Sequence, residues 1–155
     1  MTKPVPHSRA LRQGRVSEPG RAYQIRTATH EREPVFSDYR LGRLVVASLR
    51  FLHDRGDVQS LAFVVMPDHL RWLFVLQGPR PLDRVVAALK RESAREINRR
   101  LGRSGRCLWQ AGYFDRAIRD DEDLQAIARY IVANPLRAGL CASVRDYPLW
   151  DAVWT

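Results

Sequence analysis

Apolar side chains recur with a period of two in some segments of the chain and of three to four in others, which predicts a mixture of strands and amphipathic helices. Glycine, proline and short polar runs separate these segments and mark the turns. The predicted elements are a strand over 22–29, a helix over 37–55 capped by Ser37, strands over 58–66 and 69–76, a helix over 82–101, an aromatic strand over 108–118, and a helix over 121–134 capped by Asp121 and ended by Pro135.

The order of these elements predicts the fold class. Only Pro67 and Asp68 separate the second strand from the third, so these two strands must form an antiparallel hairpin. We therefore expect an α+β fold of the ferredoxin-like split βαβ type, with an antiparallel sheet of about four or five strands, helices on one face and an extra C-terminal helix. Tyr147, Trp150 and Trp154 are expected to pack back on this body.

Composition separates the chain into two parts. Residues 1–20 contain several prolines, glycines and arginines and are expected to form a flexible basic arm. Residues 21–155 are expected to form a single domain.

The charge of the chain narrows the class of partner. There are 26 Lys and Arg against 17 Asp and Glu, a net charge of +9, and such a field favours nucleic acid first and an anionic membrane second. Lys3 and Lys90 are the only lysines, so arginine, whose planar guanidinium suits phosphate, carries nearly all of the positive charge. A merely soluble cationic protein is the alternative explanation of the net charge. A GC-rich genome is the alternative explanation of the preference for arginine.

Other features of the sequence exclude several classes of protein. Cys107 and Cys141 are the only cysteines, so a C-x-x-C redox motif or a thiolate metal cage is excluded. No apolar run reaches the roughly 18 residues that cross a bilayer, and no apolar signal core begins the chain. The protein is therefore expected to be cytoplasmic, without membrane contact, and a monomer or homodimer.

The most basic stretch lies between residues 80 and 106, where nine basic and three acidic side chains give a local charge of +6. Arg91, Arg95 and Arg99 are four residues apart and share one helix face. This pattern predicts a nucleic-acid-binding surface, although Glu92 and Glu96 could instead pair with the arginines in an ordinary solvated face. The candidate binding residues are Arg84, Lys90, Arg91, Arg95, Arg99, Arg103, Arg106 and Arg137.

Two further motifs carry candidate chemistry. In the strand 69–76, His69 and Arg71 point to one face while their neighbours point to the core. Tyr130 and Asn134 are four residues apart on one predicted helix and project together. Taken singly, each of these side chains is more often structural than functional.

Together these motifs resemble the REP-associated tyrosine transposases, a branch of the HUH single-strand transposases of bacterial insertion sequences. The resemblance spans roughly residues 20–154 and rests on the order and spacing of five blocks, AYQIRTATHEREPVF, VVMPDHLRWLF, LWQAGYFDRAIRDDEDL, YIVANPLRAGL and DYPLWDAVW. It implies a protein that binds single-stranded or hairpin DNA of palindromic repeats, and that cleaves and rejoins it through a 5′-phosphotyrosine intermediate.

Carried over residue by residue, the resemblance makes Tyr130 the nucleophile, and makes His69 and Asn134 ligands of a divalent ion, Mg²⁺ or Mn²⁺, that polarises the scissile phosphate. The family's second histidine is replaced by Arg71, which has no lone pair for a metal. Arg71 therefore either binds the scissile phosphate as a catalytic residue, or marks a relative that has lost cleavage and only binds DNA. Asp68 is adjacent, but strand alternation is expected to point it away from His69.

An RNA-binding module of the same fold is the third alternative. Such a module needs exposed aromatic side chains on its sheet to stack bases. The first strand offers only Tyr23, which argues against this alternative.

Overall fold

Five strands form one antiparallel sheet in the computed structural model, which describes residues 17–154. They are β1 (Ala22–Ala28), β2 (Val58–Met66), β3 (His69–Leu76), β4 (Phe114–Ala117) and β5 (Trp150–Ala152), in the order β4-β1-β3-β2-β5. The helices are α1 (Tyr39–Arg55), α2 (Leu82–Arg100), α3 (Leu124–Val132) and α4 (Asn134–Arg137). The expected α+β class is confirmed. Most of the predicted basic arm, residues 1–16, lies outside the described part of the chain.

The strand register assigns side chains to the two faces of the sheet. Directly opposite residues of antiparallel strands share a face. In the pairing of β1 with β3, Arg26 lies opposite Arg71 and Ile25 lies opposite Trp72. We call the face that carries Trp72 the core face, and the face that carries His69 and Arg71 the site face.

The core face is covered by α1 and α2, which also contact each other. Val46 and Leu49 of α1 line one cavity with Phe63, the cross-strand neighbour of Trp72. Trp72 is fully buried, and its indole N–H donates to the hydroxyl of Ser60 at 2.9 Å. Because full burial of a large apolar side chain stabilises a fold by about 1.5–3 kcal/mol, this side of the sheet holds the hydrophobic core.

The site face is covered only in part. α3 contacts β2 and β3 and buries Ile131 completely. Over β1 and β4 the same face is open, because Arg26 is exposed and Phe114 keeps 49% of its surface accessible. The line between the covered and the open half runs along β3, where His69 and Arg71 lie.

Two helices start later than predicted. α1 begins after Asp38 rather than Ser37, and α3 begins after Asp123 rather than Asp121. In both helices the carboxylate accepts hydrogen bonds from backbone N–H groups of the first turn, which have no partner within the helix. The sequence offers two capping residues close together at each start, and the one directly before the helix is used.

The predicted aromatic strand over 108–118 is shorter in the structure. β4 contains only its last residues, because Gly112 has a left-handed φ of 77° and interrupts the extended backbone. Before that glycine, only an isolated bridge joins Trp109 to Thr29. The segment therefore packs as a loop before it enters the sheet.

The C-terminal segment adds a strand that the sequence pattern does not predict. Tyr147 is buried, and its hydroxyl donates to the carbonyl oxygen of Val65 at 2.6 Å. Trp150 begins β5, so these two aromatic residues pack on the body as expected, whereas Trp154 remains 39% exposed. Among residues 17–154, no helix combines the length and the apolar character needed to cross a bilayer.

Candidate active site

His69 is the first residue of β3 and is held by Asp68. Its Nδ1 lies 2.8 Å from Oδ1 of Asp68, so Nδ1 donates its proton to the carboxylate and Nε2 keeps its lone pair. Asp68 also forms an ion pair with Nε of Arg32 at 3.1 Å. The expectation that Asp68 points away from His69 is wrong, because Asp68 belongs to the turn before β3, where strand alternation does not apply.

Burial affects the protonation of the His69 imidazole. Desolvation lowers the pKa of His69, and the positive charges of Arg71 and Arg32 act in the same direction, while the hydrogen bond from Asp68 opposes them. The neutral imidazole is therefore favoured. A neutral ring with a fixed Nδ1 proton is the form that can accept a hydrogen bond or bind a metal ion through Nε2.

Asn134 meets His69 from the helical side. Its amide Nδ2 lies 3.5 Å from Nε2 of His69. Two residues that are 65 positions apart in the chain are thus brought together, as expected if both contact one ion. A separation of this size lets one ligand or ion contact both side chains.

The helical segment that carries Tyr130 and Asn134 is interrupted between these two residues. α3 ends at Val132, and Pro135 lies in the first turn of α4, where its missing N–H is not needed. The helix therefore ends before Pro135, two residues earlier than the predicted end at Asn134, and Pro135 belongs to the short helix that follows. Ala133 keeps a right-handed helical backbone between the two helices, so Asn134 still follows one turn after Tyr130.

Tyr130 projects from α3 with 57% of its surface exposed. The guanidinium of Arg137 lies 3.7 Å from the centre of the phenol ring, and its Nη1 donates to the backbone carbonyl of Tyr130 at 2.8 Å. A cation over the ring is attracted to its π-electrons and holds the ring in place. Tyr130 is thus open to a polymeric substrate and is not packed in the core.

Arg71 follows His69 on the site face and has an unpaired donor. Among residues 17–154, its buried Nε has no hydrogen-bond partner, and an unsatisfied buried donor costs about 1–3 kcal/mol. Burial and the neighbouring charge of Arg26 lower the pKa of Arg71, while the nearby hydroxyl of Tyr130 acts in the opposite direction. The guanidinium stays charged throughout the physiological range. An anion at this position would satisfy the donor and relieve the repulsion.

Three arginines at this site lack acidic partners. Among residues 17–154, no carboxylate lies within ion-pair distance of Arg26, Arg71 or Arg137. Arg26 and Arg71 face each other across adjacent strands, and like charges in that position are destabilising. A phosphate group could pair with more than one of them at once.

The side chains that could hold a metal ion are few. Within the described chain, no group of three or more His, Cys, Asp and Glu residues is arranged around a common point. The donors at this site are Nε2 of His69 and the carboxamide of Asn134. An ion bound there would take its other ligands from water and substrate.

Comparison with known proteins identifies the family. The family described as "Transposase IS200 like" matches residues 20–134, which is most of the chain. The chain belongs to this family. The match includes His69, Arg71, Tyr130 and Asn134 of this IS200-like transposase.

Two bacterial relatives carry the name of REP-associated tyrosine transposases. The protein from Haemophilus influenzae is 30% identical to this IS200-like transposase over 102 residues, 58% of this chain and 56% of the relative. The protein from Escherichia coli K12 is 28% identical over 87 residues, 56% of this chain and 50% of the relative. The chain thus spans about half the length of these two relatives.

A solved structure supports the fold. The structure of a REP-associated tyrosine transposase bound to a REP hairpin superposes on this IS200-like transposase with a TM-score of 0.65. The superposition covers 97% of this chain and 82% of that chain, at 18% sequence identity. The two proteins therefore share the ferredoxin-like fold.

The predicted DNA-binding residues of this chain fall into two groups. Arg137 lies beside Tyr130 at the candidate site, whereas the others lie on α2, which packs with α1, and in the loop after α2. Arg95 and Arg99 form ion pairs with Glu92 and Glu96, which is the solvated arrangement given above as the alternative. The second group consists of Arg84, Lys90, Arg91, Arg95, Arg99, Arg103 and Arg106.

Sequence patterns missed four residues of the site. Asp68 holds His69 and is itself paired with Arg32, and Arg26 and Phe114 lie on the open half of the site face. Tyr23, the aromatic residue weighed for the sheet surface, is buried in the core. The exposed strand aromatic is Phe114, whose position depends on the pairing of β4 with β1, which no local pattern reveals.

Proposed function

We propose that this protein cleaves and rejoins single-stranded DNA of hairpin-forming repeats through a covalent bond between Tyr130 and a 5′-phosphate. The observation that supports this most is the convergence of an exposed tyrosine, the His69–Asn134 pair and arginines without acidic partners. An exposed phenol flanked by unpaired cations suits attack on a phosphodiester. The two bacterial relatives are named as transposases of the same type.

The proposed reaction conserves the phosphodiester. The phenol oxygen of Tyr130 attacks the phosphorus and loses its proton to solvent. The bond from phosphorus to the 3′-oxygen breaks, and that oxygen takes up a proton to give a free 3′-hydroxyl. The DNA remains attached to Tyr130 through its 5′-phosphate, and a 3′-hydroxyl can reverse the step and release the tyrosine.

Two side chains stabilise the charge in this proposal. Arg71 donates its unpaired Nε–H to a non-bridging oxygen of the scissile phosphate. Arg137 lies over the phenol ring of Tyr130 and favours the negative charge that develops on its oxygen. Preorganised donors of this kind need no rearrangement during the reaction.

A divalent ion fits the donor set of His69 and Asn134. The neutral imidazole offers Nε2, and Asp68 fixes its orientation. When bound, Mg²⁺ or Mn²⁺ would polarise the scissile phosphate. Arg71 lies on the same face and repels such an ion, so we propose that it is held weakly.

The DNA partner is proposed from charge and from the structural relative. That relative is bound to a REP hairpin, and the net charge of this chain is +9. The arginines of α2 and the following loop are the second surface proposed for DNA, beside the site face. A relative that binds DNA without cleaving it is the alternative, and the substitution of the second histidine by Arg71 is the observation that favours it.

A denaturing gel tests the proposal directly. The protein is incubated with single-stranded repeat DNA, labelled on the 3′ side of the expected cleavage position, and with Mg²⁺ or Mn²⁺. A labelled protein–DNA adduct is expected for the natural sequence and not for Tyr130→Phe, which removes only the hydroxyl. Tyr39→Phe changes another exposed tyrosine, distant from Tyr130 in the sequence. It is the matched control and should keep the adduct. DNA binding without any adduct would favour the non-cleaving alternative.

A further inference from the structure

The open half of the site face carries a row of three side chains. β1 pairs with β3 so that Arg26 lies opposite Arg71, and β1 pairs with β4 so that Arg26 also lies opposite Phe114. All three therefore lie on one face, in one line across the sheet. Because adjacent strands are about 4.8 Å apart, Phe114 lies roughly 10 Å from the arginine of the active site.

Phe114 is an unusual residue for this position. It lies on a four-residue strand and keeps 49% of its surface exposed, although burying a phenylalanine would be favourable. Its partner on the same face is Arg26, whose guanidinium carbon lies 5.4 Å from the ring centre. This contact explains the exposed position of the ring only in part. Arg26 itself has no acidic partner among the described residues and faces a second arginine.

A single strand of DNA would satisfy both features at once. Its phosphates would neutralise Arg26 and Arg71, and an unpaired base would cover the exposed ring. Single-strand-binding surfaces combine backbone-binding cations with aromatic side chains on which bases stack. A base inside a duplex is already stacked on both of its faces and cannot lie flat on such a ring, so the arrangement favours an unpaired nucleotide.

We propose that Phe114 is the stacking platform for an unpaired base that flanks the scissile phosphate, and that Arg26 binds the phosphate between this base and Arg71. This inference rests on the proposed function and adds to it the direction from which the DNA approaches Tyr130. The DNA reaches Tyr130 from the open half of the site face, over β4 and β1. α3 blocks the opposite approach, because it covers the face over β2 and β3.

The chain offers a matched control for this stacking residue. Phe51 on α1 is 50% exposed and has the guanidinium of Arg55 at 4.9 Å from its ring centre. It reproduces the exposure and the cation of Phe114, but α1 packs on the core face. Loss of Phe51 therefore tests what removal of an exposed, arginine-covered phenylalanine does to the protein in general.

The experiment measures binding of a single-stranded oligonucleotide that carries 2-aminopurine beside the expected cleavage position. All proteins carry Tyr130→Phe, so that cleavage cannot interfere. Phe114→Ala is expected to weaken binding by about 5- to 150-fold, the effect of one lost base stack, and to remove the quenching of 2-aminopurine. Phe114→Tyr should bind within about twofold of the parent, and Phe51→Ala should bind unchanged.

The outcomes separate this inference from the proposed function. If the parent binds the oligonucleotide and Phe114→Ala binds equally well with the same quenching, the stacking role is wrong while DNA binding stands. An equal loss in Phe51→Ala would also overturn it. If the parent binds no single-stranded DNA, or binds an RNA of the same sequence more tightly, the DNA assignment fails together with the proposed function. Thermal unfolding of each variant confirms that the fold is intact.

Discussion

In the proposed site, Arg71 would set the balance between binding a phosphate and binding a metal ion. Two unit charges near 4 Å repel each other by about 4 kcal/mol at an effective dielectric constant of 20, and a divalent ion doubles this repulsion. The guanidinium therefore supplies a permanent positive charge where the resemblance implies a second imidazole. In return, the affinity of His69 and Asn134 for an ion is lowered.

The substitution Arg71→His should reverse this balance. A second imidazole adds a lone pair and removes the repulsion, so covalent adduct formation should rise and should saturate at a lower Mn²⁺ concentration. Binding of single-stranded DNA in the presence of a chelator should fall, because a phosphate contact is lost. Titration of adduct yield against Mn²⁺ and binding in chelator measure the two effects. A lower adduct yield at every metal concentration would show that the guanidinium itself is indispensable.

Asp68 is expected to act through His69. Asp68→Asn removes the charge that holds the Nδ1 proton, while keeping the size of the side chain. Substitutions of such orienting carboxylates typically cost 10- to 100-fold in activity or metal affinity, and we expect adduct formation to fall by about this factor. DNA binding in chelator should stay nearly unchanged, which distinguishes a positioning role from a general loss of structure. Asp120→Ala, at an exposed position in the loop before α3, is the control.

At the residue level, the motifs predict His69, Tyr130 and Asn134 as site residues, and the structure brings Asn134 to His69. The side chains that support His69 are not predicted by these motifs. Asp68 was missed because alternation was extended one residue beyond the strand. Phe114 was missed because it joins the site through strand pairing over a long stretch of chain, and only the register shows this.

At the level of elements, α3 carries Tyr130, the proposed nucleophile, and depends on its N-terminal cap. The carboxylate of Asp123 accepts hydrogen bonds from two backbone N–H groups at the start of this nine-residue helix. Helices this short are marginal by themselves, so the cap contributes a substantial share of local order. Strands and long helices are predicted closely because their periodicity is strong, whereas the helix starts depend on which of two nearby polar residues caps the helix.

The substitution Asp123→Ala should lower the free energy of unfolding by about 1 kcal/mol, or the melting temperature by about 2–4 °C. Asp123→Asn keeps a capping acceptor and should lose much less. Thermal unfolding followed by circular dichroism measures both. Equal losses in the two variants would mean that the charge of Asp123, and not its hydrogen bonds, is what stabilises α3.

At the level of the whole molecule, positive charge lies on both sides of the sheet. Among residues 17–154, Arg26, Arg71 and Arg137 have no carboxylate within ion-pair distance, whereas Arg95 and Arg99 of α2 are paired with glutamates. Paired arginines release fewer counterions when a phosphate binds, so the two surfaces should contribute unequally to binding. Composition alone predicts a basic protein, and only the fold shows which of its cations are available.

Salt dependence can compare the two surfaces. If about six phosphates of a single strand are neutralised, affinity should fall by roughly 300-fold between 50 and 200 mM salt. Replacing Arg26 and Arg137 by Gln should reduce the slope of log affinity against log salt by about 1.4, which is two phosphates on a single strand. Replacing Arg91, Arg95 and Arg99 should reduce it by less. A larger reduction in the α2 variant would place the main path of the DNA over that helix, and a flat salt response in the natural protein would exclude phosphate-driven binding.

The short strand β5 has a consequence for solubility. It pairs with Ala62, Phe63 and Val64 in the middle of the apolar strand β2. Without it, β2 would be an edge strand, and its free N–H and C=O groups would be a template for pairing with β2 of a second molecule. With it, both edges of the sheet are very short strands, β4 and β5, which offer little backbone to such pairing. A chain shortened by residues 149–155 should therefore aggregate at concentrations where the natural chain stays dispersed, as light scattering would show.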